Sequence, residues 1–230
     1  MLIIADSRMP VAARNKLALL GEVLWLDPQL SVYPGIAAHP DIFFCQLGKS
    51  LISSPMIPDR WRERLLRHQV DLIDGNRAPG NFYPSSARFN AVITSDLFVH
   101  NNSISDEVLT ALAADKTLVN VNQGYTRCNL FPLTNSVFIT SDRGIEKGLL
   151  KHGKTVVFVD PVQVVLPGHK HGFIGGCFGK DDHQLVFCGS LDALAEGNLI
   201  RQHAEVSGLR IINLFDGPPT DTGSIFFVGE

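Results

Sequence analysis

The chain of 230 residues lacks most of the features that would place it at a glance. It has no long apolar run. The N-terminal "MLIIADSRMP" reaches Asp6 too soon for a signal peptide, and no stretch nears the roughly 18 residues of a membrane span, so no membrane association is expected. Cysteine is scarce. Cys45, Cys128, Cys177 and Cys188 form no CxxC pair, which fits reduced thiols in a cytoplasmic protein. Charge is sparse as well, at 19% of residues and a net −3, and the bases are scattered. Their densest group, "DRWRERLLRH" from Asp59 to His68, reads as the polar face of an amphipathic helix with Trp61, Leu65 and Leu66 turned inward, so nucleic acid is not an expected partner. Nothing sets an oligomeric state. With 45% hydrophobic residues the chain is far from the disordered profile, and one domain over 1–230 is the simplest organisation.

What the sequence does contain is a concealed period. "VITSD" (Val92–Asp96) recurs as "FITSD" (Phe138–Asp142), each read as a strand running toward a helical pattern, with Ser and Asp suited to helix N-caps. Short β-branched strands follow the helices in "TLVNV" and "TVVFV". The same helix-to-strand join ends in "EVLWLD", "VDLID" and "LRIINL". Before the helices come hairpin patterns: "DIFFCQLGKSLISS", "ARFNAVITSD", "TRCNLFPLTNSVFITSD" and "IGGCFGKDDHQLVFCGS". A fifth hairpin exists only if the C-terminal "TGSIFFVGE" pairs with the N-terminal "MLIIADS". Five strand-strand-helix-strand units then average 46 residues, with Cys45, Asn90, Asn129, Cys177 and Ser224 at matching places. Pairing the two ends closes a ring and leaves no open edge, so the expected fold is an α/β class, five-bladed α/β propeller.

These units resemble the pentein, or guanidino-group-modifying enzyme, superfamily. "GFIGGCFGKDDHQLVFCGS" is similar to that superfamily's Gly-Gly-acid strand and turn, with Cys177 where an acid or amide would stand. "GYTRCNLFPLTNSVFITSDRGIEKGLLKHG" and "DGPPTDTGSIFF" resemble a bacterial family of this fold with no established activity. The resemblance implies a central channel at whose mouth carboxylates hold a planar guanidinium, a thiolate attacks its carbon and a histidine moves protons. It also implies a cysteine on the last blade's loop. Here that loop reads "DGPPTDTGS", with Asp216, Asp221 and Ser224 and no thiol.

The candidate site residues follow from the blade alignment. The stretch "PGHKHGFIGGC" puts His169 and His171 on one face of an extended segment ahead of Cys177, though its glycines by themselves account for a tight turn. Cys177 or Cys128 is the candidate nucleophile, with His171 or His169 as general acid/base. The candidate substrate contacts are Asp221 and Asp216 as guanidinium ligands, Tyr125, Arg127 and Asn129 of "GYTRCNL", Asn90, and His39 with Asp41 of "AAHPDIFFC". No metal or cofactor is expected, since the His-rich stretch has no clear fourth ligand. The resemblance implies a small guanidino or amidino compound as the expected partner. The alternative is a non-catalytic binding scaffold, like the ribosome anti-association factor of the same superfamily.

Overall fold

The computed structural model describes residues 1–229. Its strands fall into five separate three-stranded sheets of one pattern: an inner strand pairs antiparallel with a middle strand, which pairs parallel with an outer one. β1 (Leu2–Asp6) is a middle strand, flanked by β2 (Glu22–Leu26) across helix α1 (Val11–Leu17) and, from the other end of the chain, by β15 (Phe226–Val228). The register Leu2↔Val228 to Ile4↔Phe226 makes the expected clasp.

The other four blades each come from one continuous segment. Helix α2 (Pro40–Phe43) leads into β3 (Phe44–Leu47), β4 (Ser50–Ser53), helix α3 (Asp59–Arg67) and β5 (Asp71–Asp74). The next blade runs β6 (Val92–Ile93), β7 (Leu97–His100), helix α4 (Glu107–Leu112) and β8 (Thr117–Asn120). Helix α5 (Thr126–Asn129) then opens β9 (Leu130–Pro132), β10 (Val137–Thr140), helix α6 (Arg143–Lys151) and β11 (Thr155–Phe158). The last comprises β12 (Phe178–Lys180), β13 (Gln184–Phe187), helix α7 (Gly197–Val206) and β14 (Arg210–Asn213). A helix links each parallel pair because parallel strands need a crossover.

No continuous sheet closes the ring. Hydrogen bonds between adjoining blades do so instead. Gln46 Nε2 donates to Phe227 O (3.2 Å), Cys45 Sγ to Ala91 O (3.5 Å), Arg127 N to Asn90 O (3.0 Å), Lys180 Nζ to Leu133 O (2.6 Å) and Ile225 N to Phe178 O (3.1 Å), a complete circuit of five joints. Apolar residues fill the spaces between sheets and helices. Trp61 and Leu65 of α3, one helical turn apart, pack with Phe43 and Phe44 and with Leu2 and Phe226 of the terminal blade.

Three local expectations are corrected. Leu66 is 55% exposed, because it lies about 100° round the helix from Leu65. The two Thr-Ser-Asp segments are not equivalent: in the second, Asp142 caps α6 through Ile145 N (2.9 Å), whereas in the first, residues 94–96 are the β6–β7 turn and Asp106 caps α4. Cys45 is two residues out of step. The carbonyls of Phe43, Asn129 and Cys177 accept the same bond from Ser54, Ser141 and Cys188, so Phe43 is the match to Asn129 and Cys177.

Candidate active site

Each inner strand is entered through a short turn, and these turns meet at one mouth of the ring. Helix α2 begins with Pro40, whose fixed φ and missing N–H suit a first helical position, and this fixes where Asp41 points. Asp41 Oδ2 accepts hydrogen bonds from Cys128 Sγ of α5 (3.0 Å) and Ser224 Oγ (2.7 Å), while its Oδ1 has no hydrogen-bond partner. Asn90 ties the cluster together. Its Nδ2 donates to Asp41 O (3.1 Å) and contacts Cys128 Sγ (3.4 Å), and its Oδ1 accepts from Cys128 N (3.0 Å).

His39 completes the group. Its Nε2 lies 3.8 Å from Asp6 Oδ2, an electrostatic contact rather than a hydrogen bond, and its Nδ1 is buried without a partner. Ligand atoms of His39, Asp41 and Cys128 lie within 4.8 Å of one another, the one His/Cys/acid cluster of this kind among the described residues. Two backbone features hold it. Gly223, at φ +66°, has no room for a Cβ because the His39 side chain lies against it, and Ser224 follows at φ +74°, a left-handed conformation uncommon for serine.

Asp221 stands beside this group. Its carboxylate accepts from Phe173 N and Gly223 N (both 3.0 Å), yet burial raises its pKa to about 6, the nearby His39 pulling the other way and Asp41 reinforcing the rise. Neither Asp41 nor Asp221 has a Lys or Arg ion-pair partner among the described residues. Burial, and then the charges of Asp41 and Asp221, hold the Cys128 thiol well above the usual range, so at rest it carries its proton and donates it to Asp41.

The remaining candidates lie apart from this cluster. Cys177 is in the core, its sulfur directed at Phe173 O (3.7 Å) and its thiol pushed up by burial. His169 is exposed on the rim near Tyr33, and His171 is half-buried edge-on to Phe173, so the two do not converge on Cys177. The glycines of that stretch have a packing cause. A Cβ on Gly176 would overlap the Asp221 carboxylate, and one on Gly175 would press on the backbone of Arg127 and Cys128.

Asn129 is occupied structurally, donating to Tyr125 O (3.0 Å) and accepting from Ser141 Oγ (3.0 Å). Tyr125 shares a 2.6 Å hydrogen bond with Ser86 beneath Tyr83, Asp216 is exposed on a surface turn, and Arg127 reaches toward the opposite end of the ring. Two residues of the mouth had not been singled out from sequence for a role: Ser224 and Asp6. Their signals were faint, a serine after the glycine of "DTGS" and an acid ending the strand "LIIAD".

No curated protein matches the chain by sequence. Among solved structures it is similar to dimethylarginine dimethylaminohydrolase from Pseudomonas aeruginosa, a cysteine-to-serine mutant complexed with citrulline, at 10% identity over 92% of this chain and 91% of that one, with a TM-score of 0.50. It is likewise similar to a histidine-to-glycine form of dimethylarginine dimethylaminohydrolase carrying an S-methyl-L-thiocitrulline adduct, with 10% identity, the same coverage and a TM-score of 0.51. At such identity the likeness is one of fold. Together with five blades closed by the two chain ends, it defines a five-bladed α/β propeller of the pentein fold. Within that fold, the chain belongs to a family of unknown function, DUF6873, which matches residues 4–226.

Proposed function

We propose that this protein is a cysteine-dependent hydrolase or amidinotransferase acting on a small guanidino or amidino compound, with Cys128 as nucleophile, His39 as general acid/base and Asp41 with Asp221 as the cation's carboxylate ligands. The observation that carries this reading is the buried His39–Asp41–Cys128 cluster with two polar atoms, His39 Nδ1 and Asp41 Oδ1, left without partners. Leaving a buried polar atom unsatisfied costs about 1–3 kcal/mol, which a ligand bonded to these atoms would recover. Two buried carboxylates without a cationic partner favour a bound cation, and a planar guanidinium offers them paired N–H donors.

Chemically, the thiol proton passes through Asp41 or His39 as sulfur attacks the guanidinium carbon, and the substrate's positive charge offsets the cost of forming a buried thiolate. The C–N bond breaks as protonated His39 gives its proton to the departing amine, leaving an amidino thioether on Cys128. Water, or an acceptor amine, then attacks that carbon while His39 takes its proton, and the C–S bond breaks to restore the thiol. Asp6, 3.8 Å from His39 Nε2, is placed to orient the imidazole.

A second reading rests on the same atoms, since one His, one Asp and one Cys within 4.8 Å also compose a three-ligand zinc set. The test is mass-spectrometric mapping of cysteine labelling by 2-chloroacetamidine at neutral pH, with metal content measured on the same sample. The expected result is alkylation of Cys128 at least about tenfold faster than of Cys45, Cys177 and Cys188, slowed by arginine or agmatine and lost in His39→Ala. Equal rates at all four thiols would refute the reading, and one tightly held zinc per chain would replace it with the metal site.

A further inference from the structure

The opposite mouth of the ring, where the hairpin turns lie, holds a cavity of about 1060 Å³. It is bounded by the β3–β4, β6–β7, β9–β10 and β12–β13 turns and by β15, on the far side of the inner strands from Cys128. Its wall holds two cations from neighbouring blades, the buried Arg127 and the half-buried Lys180, while Lys116 pairs with Asp115 and Lys49 is exposed. Arg127 is clamped. Its Nη1 donates to Gly175 O (2.8 Å) and its Nη2 to Phe178 O (3.3 Å), and the guanidinium carbon lies 5.2 Å from the Phe131 ring centre and 5.6 Å from that of Phe226. Those two bonds use two of its five N–H donors. Lys180 Nζ donates to Leu133 O (2.6 Å), one bond for three protons.

Neither cation has a carboxylate within ion-pair distance among the described residues. The acids of the wall are outside or engaged. Asp182 is exposed, Asp71 is exposed and accepts from Ser50, and Asp181 accepts from His183 N, Gln184 N and Gln184 Nε2. Two like charges in one wall repel each other: burial and then the proximity of Arg127 lower the Lys180 pKa, with Asp182 pulling the other way. An anion between them would remove that repulsion, and a clamped guanidinium beside an ammonium suits an oxyanion. The volume is slightly above the roughly 300–1,000 Å³ typical of small-molecule sites, so there is room for one.

We infer that this cavity is a second ligand site, separate from the Cys128 mouth, which takes a small molecule bearing a carboxylate or phosphate group between Arg127 and Lys180. The inference does not depend on the chemistry proposed for Cys128. Isothermal titration of the full chain with inorganic phosphate and, separately, with succinate tests it. Saturable one-to-one binding of at least one probe is expected, weakened at least about tenfold in Lys180→Met and unchanged in Lys147→Met on the distant helix α6. The better probe names the group, phosphate or carboxylate. Absence of saturable binding by either probe, or equal affinity in Lys180→Met, overturns the site. A measurement that needs no variant is crystallographic: with selenate in place of phosphate, an anomalous peak between Arg127 and Lys180 supports the inference, and peaks confined to other surfaces overturn it.

Discussion

Asp221 shows how one residue links packing to chemistry. Its carboxylate occupies space that Gly172 and Gly176 leave open, and burial raises its pKa from the usual 3.8 to about 6. An acid raised in this way binds its proton more tightly folded than unfolded. Its stability contribution is therefore complete below about pH 4 and declines as pH rises through about 6, by roughly 3 kcal/mol in all. Between pH 4.5 and 7.5 the stability of Asp221→Asn relative to the parent should accordingly improve by about 2 kcal/mol in urea unfolding, although its amide cannot accept from both Phe173 N and Gly223 N. A constant difference across that range would mean that Asp221 does not titrate there. The sequence exposed this residue as a candidate because acids just before a channel-lining strand need a reason. It could not separate Asp221 from Asp216, since five residues of turn decide which carboxylate is buried and which is in water.

Elements in this protein are short, and their ends matter more than their interiors. Asp142 and Asp96 follow the same Ile-Thr-Ser tripeptide, yet one caps a nine-residue helix and the other sits in a hairpin turn, where it pairs with Lys154. Replacing Asp142 with alanine should cost about 1 kcal/mol by thermal or urea unfolding, and Asp96→Ala about half of that or less, because an exposed ion pair contributes little. Equal losses would show that the cap is not used. A four-residue identity cannot report this difference, because strand pairing is settled by partners outside it: Phe98 opposite Ile93 in one case, Phe131 opposite Ile139 in the other. Similarly, the opening glycines and histidines of "PGHKHGFIGGC" signalled a turn at the mouth. The groups that the turn accommodates, the Asp221 side chain and the backbone of Arg127 and Cys128, come from other blades.

At the scale of the whole molecule, stability depends on closing the ring through chain ends that meet in one sheet. Joining them by a short flexible linker and opening the chain between Gly48 and Lys49, both exposed in the β3–β4 turn, should give a permuted protein with one cooperative thermal transition within a few degrees of the parent's. Removing everything after Asp216 should abolish that transition, since it strips β15 from β1 and takes away Asp221 and Ser224. A truncated chain that still unfolded cooperatively would refute the clasp. The sequence by itself determined the repeat, its five hairpins and crossover helices and the pairing of the two ends, because period-2 strands, helical patterns and turn residues are local properties of the chain. It also marked Cys128, His39, Asp41, Asn90 and Asp221 as candidates among others. Only the tertiary structure decided that these five share one mouth while Cys177 lies in the core, His169 and His171 on the rim and Arg127 across the ring. The five come from four different turns, and one residue of slippage in an inner strand would send its side chain to the opposite face.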